Sequence, residues 1–78
     1  MIDELDLVAL THDLSKYKLV RGDVGTVIHR YRDGDAFEVE FVTAEGTTVA
    51  VVTLDASAIR PVGGREILHV RDLAPASA

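Results

Sequence analysis

The stretch Gly22-Asp23-Val24-Gly25-Thr26-Val27-Ile28-His29-Arg30-Tyr31 constrains this chain most, because a tight turn runs without a spacer into its strongest strand signal. Glycine adopts positive φ at no steric cost, and Gly22 and Gly25 bracket the turn. Asp23 is expected to hydrogen-bond its own downstream backbone, as aspartate does in turns. A glycine within a strand also permits close approach of a crossing backbone, which a small bent barrel needs at a corner. A phosphate cradle is excluded by context: no helix follows, no Lys-Ser/Thr pair closes the loop, and the pattern continues as strand.

The rest of the chain reads as short strands joined by turns. Residues 5–11 are apolar on both faces, which suits a first strand buried on both sides; a short helix is the alternative there. Residues 12–23 form a long loop, with Leu14, Tyr17 and Leu19 as anchors onto the core and His12, Lys16 and Lys18 facing solvent. The second strand, Val24–Tyr31, is expected to place Val27, His29 and Tyr31 on one face and Thr26, Ile28 and Arg30 on the other. Arg32-Asp33-Gly34-Asp35 marks a hairpin turn. The third strand, Ala36–Val42, alternates with Phe37, Val39 and Phe41 inward and Glu38 and Glu40 outward. Glu45-Gly46 makes the next turn, and Thr47–Leu54 is a Val- and Thr-rich fourth strand without a clean polar face. Asp55–Arg60 reads as a tight 3₁₀ link whose Ile59 plugs the open end of a barrel, followed by a short last strand at Pro61-Val62.

Five strands with a long first loop and a 3₁₀ link before the last predict an all-β, SH3-like small barrel over residues 1–62. Residues 63–78 form a C-terminal extension, partly disordered. Within it, 65–73 is apolar enough to add an edge strand or dock as a flap, and 74–78 reads as a disordered tail. The combination of Asp6–Leu10, Gly22–Val27, Phe37–Phe41 and Ala56–Val62 resembles the bacterial domain-of-unknown-function family 4926 over about residues 5–62. That resemblance implies an SH3-like fold and no particular activity. The Gly-Asp-x-Gly-Thr-Val turn is also similar to that of transcription-factor and ribosomal barrels of the KOW type.

Composition narrows the function classes. The absence of cysteine removes disulfides, thiolate catalysis and cysteine-based zinc sites. Apolar runs such as Val49–Val52 fall far short of a membrane span, and Asp3, Glu4 and Asp6 occupy the place where a signal peptide needs basic residues. The cytoplasm is therefore the expected location. His12, His29 and His69 lie on three segments without ligand spacing, and Glu38 and Glu40 read as a solvated strand face. The expectation is a non-enzymatic domain with no catalytic residue, metal site or cofactor.

The net charge of −5 is unevenly spread. Lys16, Lys18, Arg21, Arg30 and Arg32 form a basic block opposed only by Asp23, while Asp33, Asp35, Glu38, Glu40, Glu45 and Asp55 make residues 33–55 wholly acidic. The leading expectation is a protein-interaction module that binds beside the long first loop through Tyr17, Tyr31 and the basic block. An antitoxin-like, immunity-like or accessory partner is the form this takes if the acidic residues Asp33, Asp35, Glu38, Glu40 and Glu45 make the contact with a basic surface. The alternative is a KOW-like nucleic-acid-binding barrel in which the basic block tracks phosphates and a tyrosine stacks on a base; the acidic balance makes it the weaker reading. The expected state is a monomer or a weak homo-oligomer. Gly22, Asp23, Gly25, Gly34 and Gly46 are assigned to turn structure rather than to binding.

Overall fold

The computed structural model describes residues 1–73. The disordered tail expected at 74–78 lies outside the described residues. Five antiparallel strands, β1 (Leu7–Leu10), β2 (Val24–Arg30), β3 (Ala36–Val42), β4 (Thr48–Asp55) and β5 (Ile59–Pro61), form one sheet in the order β4-β3-β2-β1-β5. This all-β order, with a long first loop and a 3₁₀ turn (Ala56–Ala58) before β5, is that of SH3-like barrels.

The sheet curls without closing. Val52 and Leu54 on one edge strand share a single buried cluster with Ile59 on the other, together with Val8, Val27, Phe37, Val39 and Phe41 between them. A flat sheet cannot bring its two edges to one cluster, so the curvature follows from where the apolar side chains stand. No ladder joins β4 to β5 among the described residues, so the closure expected of a barrel is incomplete and β4 keeps an open edge. The gap is spanned by the 3₁₀ turn, where Thr11 N–H donates to Ala58 O at 2.9 Å and Thr11 Oγ1 to Ser57 O at 2.9 Å. Ile59, 4% exposed, plugs that end as its position in the sequence suggests.

The clean alternation of β3 is observed: Phe37, Val39 and Phe41 are buried, and Glu38 and Glu40 are half-exposed on the outer face. The strand β2 departs from the expected alternation. Its register against β3 shifts between Val27, opposite Val39, and His29, opposite Glu38. Ile28 is the extra residue of this bulge, which re-aims the residues that follow it. Cross-strand partners share a face, so His29 joins Glu38 outside, and Arg30 stands opposite Phe37 on the side expected of His29.

Other boundaries move by a residue or two. The first strand begins at Leu7 rather than at residue 5, because Leu5 takes a left-handed φ of 74° within a turn. The second ends at Arg30, the fourth covers Thr48–Asp55, and the last starts at Ile59. The long loop has structure of its own: a 3₁₀ turn at Ser15–Tyr17 and a bridge between Leu14 and Leu19, with Leu19 buried and Leu14 and Tyr17 packed on the core.

Two glycines act by different physics. Gly22 has φ +92° with open space where a Cβ would stand, so only its backbone conformation favours glycine. Gly25 lies in β2 without positive φ, and a Cβ there would stand 2.6 Å from Val39 Cγ1, 2.9 Å from Glu40 O and 2.9 Å from Phe41 Cε2. Its role is close approach of two strands at the corner.

Candidate functional site

Strand geometry separates the basic block. Lys16, Lys18 and Arg21 lie on the first loop, before β2, whereas Arg30 ends β2 and Arg32 sits in the turn after it. The two groups stand at opposite ends of β2, about 20 Å apart for a strand of this length. Tyr17 and Tyr31 are divided in the same way. The single patch expected from the sequence therefore does not form.

Arg30 is also engaged locally, by Asp3 at 2.8 Å, while its backbone N–H donates to Glu4 Oε2 at 3.3 Å. Tyr31 packs edge-on against His29 at 4.7 Å between ring centroids, and Lys16 stands over the Tyr17 ring at 5.7 Å. The acidic residues are strung along β3. Asp33 and Asp35 lie in the β2–β3 turn, Glu45 in the β3–β4 turn at the opposite end, and Glu38 and Glu40 between them. Glu38 accepts from Thr53 Oγ1, and Glu40 from Thr48 Oγ1 at 2.8 Å, so both are tied to the neighbouring strand. Gly34 and Gly46 take the positive φ expected of their turns, 71° and 89°.

A concave site forms where the first loop meets the β3–β4 turn. Leu19, Val24, Phe41, Val42 and Val49 line it from the sheet side, and residues 69–73 from the other. The extension is thus a docked flap. Its described residues, 63–73, contain no strand, and their side chains stay exposed, with Ile67 at 94% and Val70 at 89%. Apolar burial does not hold a segment so exposed; two charged clamps do.

At the first clamp Arg60 forms a two-pronged pair with Glu66, Nη1 to Oε1 and Nη2 to Oε2, each at 2.8 Å. Gly63 N–H adds a 2.6 Å bond to Glu66 Oε1. Arg60 and the Gly63 amide bring the Glu66 carboxyl down to about 2, and Glu66 in turn raises Arg60.

At the second clamp Arg71 Nε donates to Asp23 Oδ1 at 2.8 Å and Nη2 to Asp23 Oδ2 at 2.5 Å; Nη2 also reaches Lys18 O at 3.2 Å. Asp23 is held by its own turn: it accepts from Val20 N–H at 2.9 Å, upstream rather than downstream as expected. Partial burial pushes the Asp23 carboxyl up, but the hydrogen bonds from Arg71 and Val20 and the charge of Arg71 outweigh it, leaving it below its ordinary value.

Arg71 and the Lys18 carbonyl escape a reading of the sequence because 48 residues separate Asp23 from Arg71 and no spacing links them. The only signal is that residues 65–73 are too apolar for a linker. Among the described residues, no group of three histidines, cysteines or carboxylates stands together as a metal site requires, and no helix is long and apolar enough to cross a membrane.

A family model described as a domain of unknown function, DUF4926, matches residues 4–61, which is most of the chain and all five strands. No curated protein and no solved structure match it.

Proposed function

We propose that this chain, which belongs to the DUF4926 family, is a non-catalytic protein-interaction module whose partner seats in the concave site between the first loop and the β3–β4 turn. One observation carries the reading. The sheet already accepts a peptide there, its own residues 69–73, beside an apolar floor flanked by the carboxylates of Asp23 and Glu45. Val42 on that floor is 50% exposed with the flap in place, so apolar surface remains for a partner to cover. A compact barrel that presents such a surface, with its three histidines on separate segments, is better suited to binding than to chemistry.

Division of the basic block between two ends of the sheet weighs against the nucleic-acid reading, since a phosphate backbone is tracked by a continuous run of cations. The net charge of −5 favours a partner that brings a cation to this site, as an antitoxin-like or accessory role allows. The test is affinity capture from the source cell's lysate, with and without nuclease, using wild-type chain and Val42→Glu. The expected result is a stoichiometric protein that survives nuclease and is lost with Val42→Glu. Loss of all bound material on nuclease treatment, or full retention by Val42→Glu, overturns the proposal.

A further inference from the structure

We propose that the Asp23 carboxylate and the Lys18 carbonyl form an arginine-recognition site, occupied within the chain by Arg71, and that the partner binds by inserting an arginine of its own on an extended segment. The inference rests on the protein-interaction reading above and names the chemistry the partner brings.

The geometry is specific for a guanidinium. Both Asp23 oxygens are engaged by two nitrogens of one planar fork, and one of those nitrogens also donates to the Lys18 carbonyl. A lysine ammonium is a point donor and cannot span the two oxygens in this way. The acceptors belong to the barrel and not to the flap. Asp23 is fixed by the Val20 N–H and by its own N–H donating to Val20 O at 3.0 Å, and the left-handed Lys18 (φ 59°) is closed by its N–H to Ser15 O at 3.0 Å. The site is therefore preorganised, and an arginine entering it meets acceptors already in place.

The occupant, by contrast, is loosely held. Its apolar residues face solvent, with Ile67 94% and Val70 89% exposed, although Val24, Val42 and Val49 lie beside it. A segment that places an arginine at Asp23 and also lays apolar side chains on Val24 and Val42 gains what residues 65–73 leave unused. The first-loop cations Lys16, Lys18 and Arg21 oppose a uniformly basic ligand. The flap itself follows Arg71 with Asp72 and Leu73, and the favoured ligand has that character: one arginine with acidic and apolar neighbours.

The probe is a fluorescently labelled peptide of the chain's own residues 65–73, titrated by polarisation against the full chain and its Arg71→Gln variant. A competing internal segment lowers apparent affinity by the fraction of molecules left open, so vacating the site should tighten binding about tenfold or more. The peptide carrying Gln in place of its second arginine should not bind. Asp23→Asn in the Arg71→Gln background should abolish binding. Asparagine keeps an oxygen for Val20 N–H, and the amide spectrum verifies the fold. Equal affinity for wild type and Arg71→Gln, no binding to Arg71→Gln, or undiminished binding by the double variant overturns the inference. A captured partner that is lost with Val42→Glu yet indifferent to Asp23→Asn overturns the arginine site alone and leaves the interaction reading standing.

Discussion

Replacing Gly25 with alanine adds one carbon at the point where β2 and β3 come closest. That carbon would stand 2.6 Å from Val39 Cγ1 and 2.9 Å from both Glu40 O and Phe41 Cε2. None of the three can move freely: Val39 is 0% and Phe41 3% exposed, and Glu40 O belongs to a strand paired on both sides. Overpacking a well-filled core costs ~1–3 kcal/mol, and a triple contact that includes backbone belongs at the upper end, about 3. The reduced freedom of alanine in the unfolded chain offsets roughly 0.4–1 kcal/mol, leaving a net loss of about 2. For a domain of this size each kcal/mol moves Tm by ~4–8 °C, so the melting temperature should fall by about 8–16 °C. Thermal unfolding followed by circular dichroism, with urea titration as a second probe, measures this directly. A Tm within about 2 °C of wild type would refute the close approach on which the corner of the sheet depends. Gly22→Ala separates the two glycine roles: nothing crowds its Cβ, so only the strained φ of +92° acts and the loss should be near 1 kcal/mol.

Further outcomes follow from the same geometry. Leu10→Ala, at a side chain 2% exposed, should cost ~2–5 kcal/mol, enough to leave much of a small domain unfolded in a urea titration. Reversing Glu38 and Glu40 to lysine removes the bonds to Thr53 and Thr48 but buries nothing, so stability should change by about 1 kcal/mol or less; a large loss would place these residues inside. Acid should release the flap. The carboxyls of Asp23 and Glu66 are depressed in the folded chain, so their contribution is full above their ordinary values and fades as pH falls. For Glu66 the window runs from 4.5 down to about 2. Amide resonances of residues 65–73 should therefore move toward free-chain positions as pH falls through that range, earlier at high salt because the Arg60–Glu66 pair is half-exposed; unchanged resonances at pH 2 would contradict the clamps.

The parts of the fold legible in the sequence are those set by neighbours along the chain. The strict alternation of Phe37 to Phe41, the Asp33-Gly34 turn and the Ile59 plug are local patterns, and each is observed. The features that were not legible depend on partners remote in sequence. The bulge at Ile28 arises only when β2 is laid against β3, and it moves His29 to the face of Glu38. The apparent unity of Lys16, Lys18, Arg21, Arg30 and Arg32 dissolves because a strand stands between its members, and adjacency in sequence is not adjacency in space. Asp23 was recognisable as a turn residue, but its hold on Arg71 needed the fold to bring the two together.

The most direct test of partner binding at the concave site is hydrogen–deuterium exchange of the full chain, free and bound to the partner it captures. The account predicts new protection at residues 14–24 and 42–49, with faster exchange at 65–73 as the flap is displaced. Protection confined to residues 30–35, at the other end of β2, with 65–73 unchanged, would contradict it.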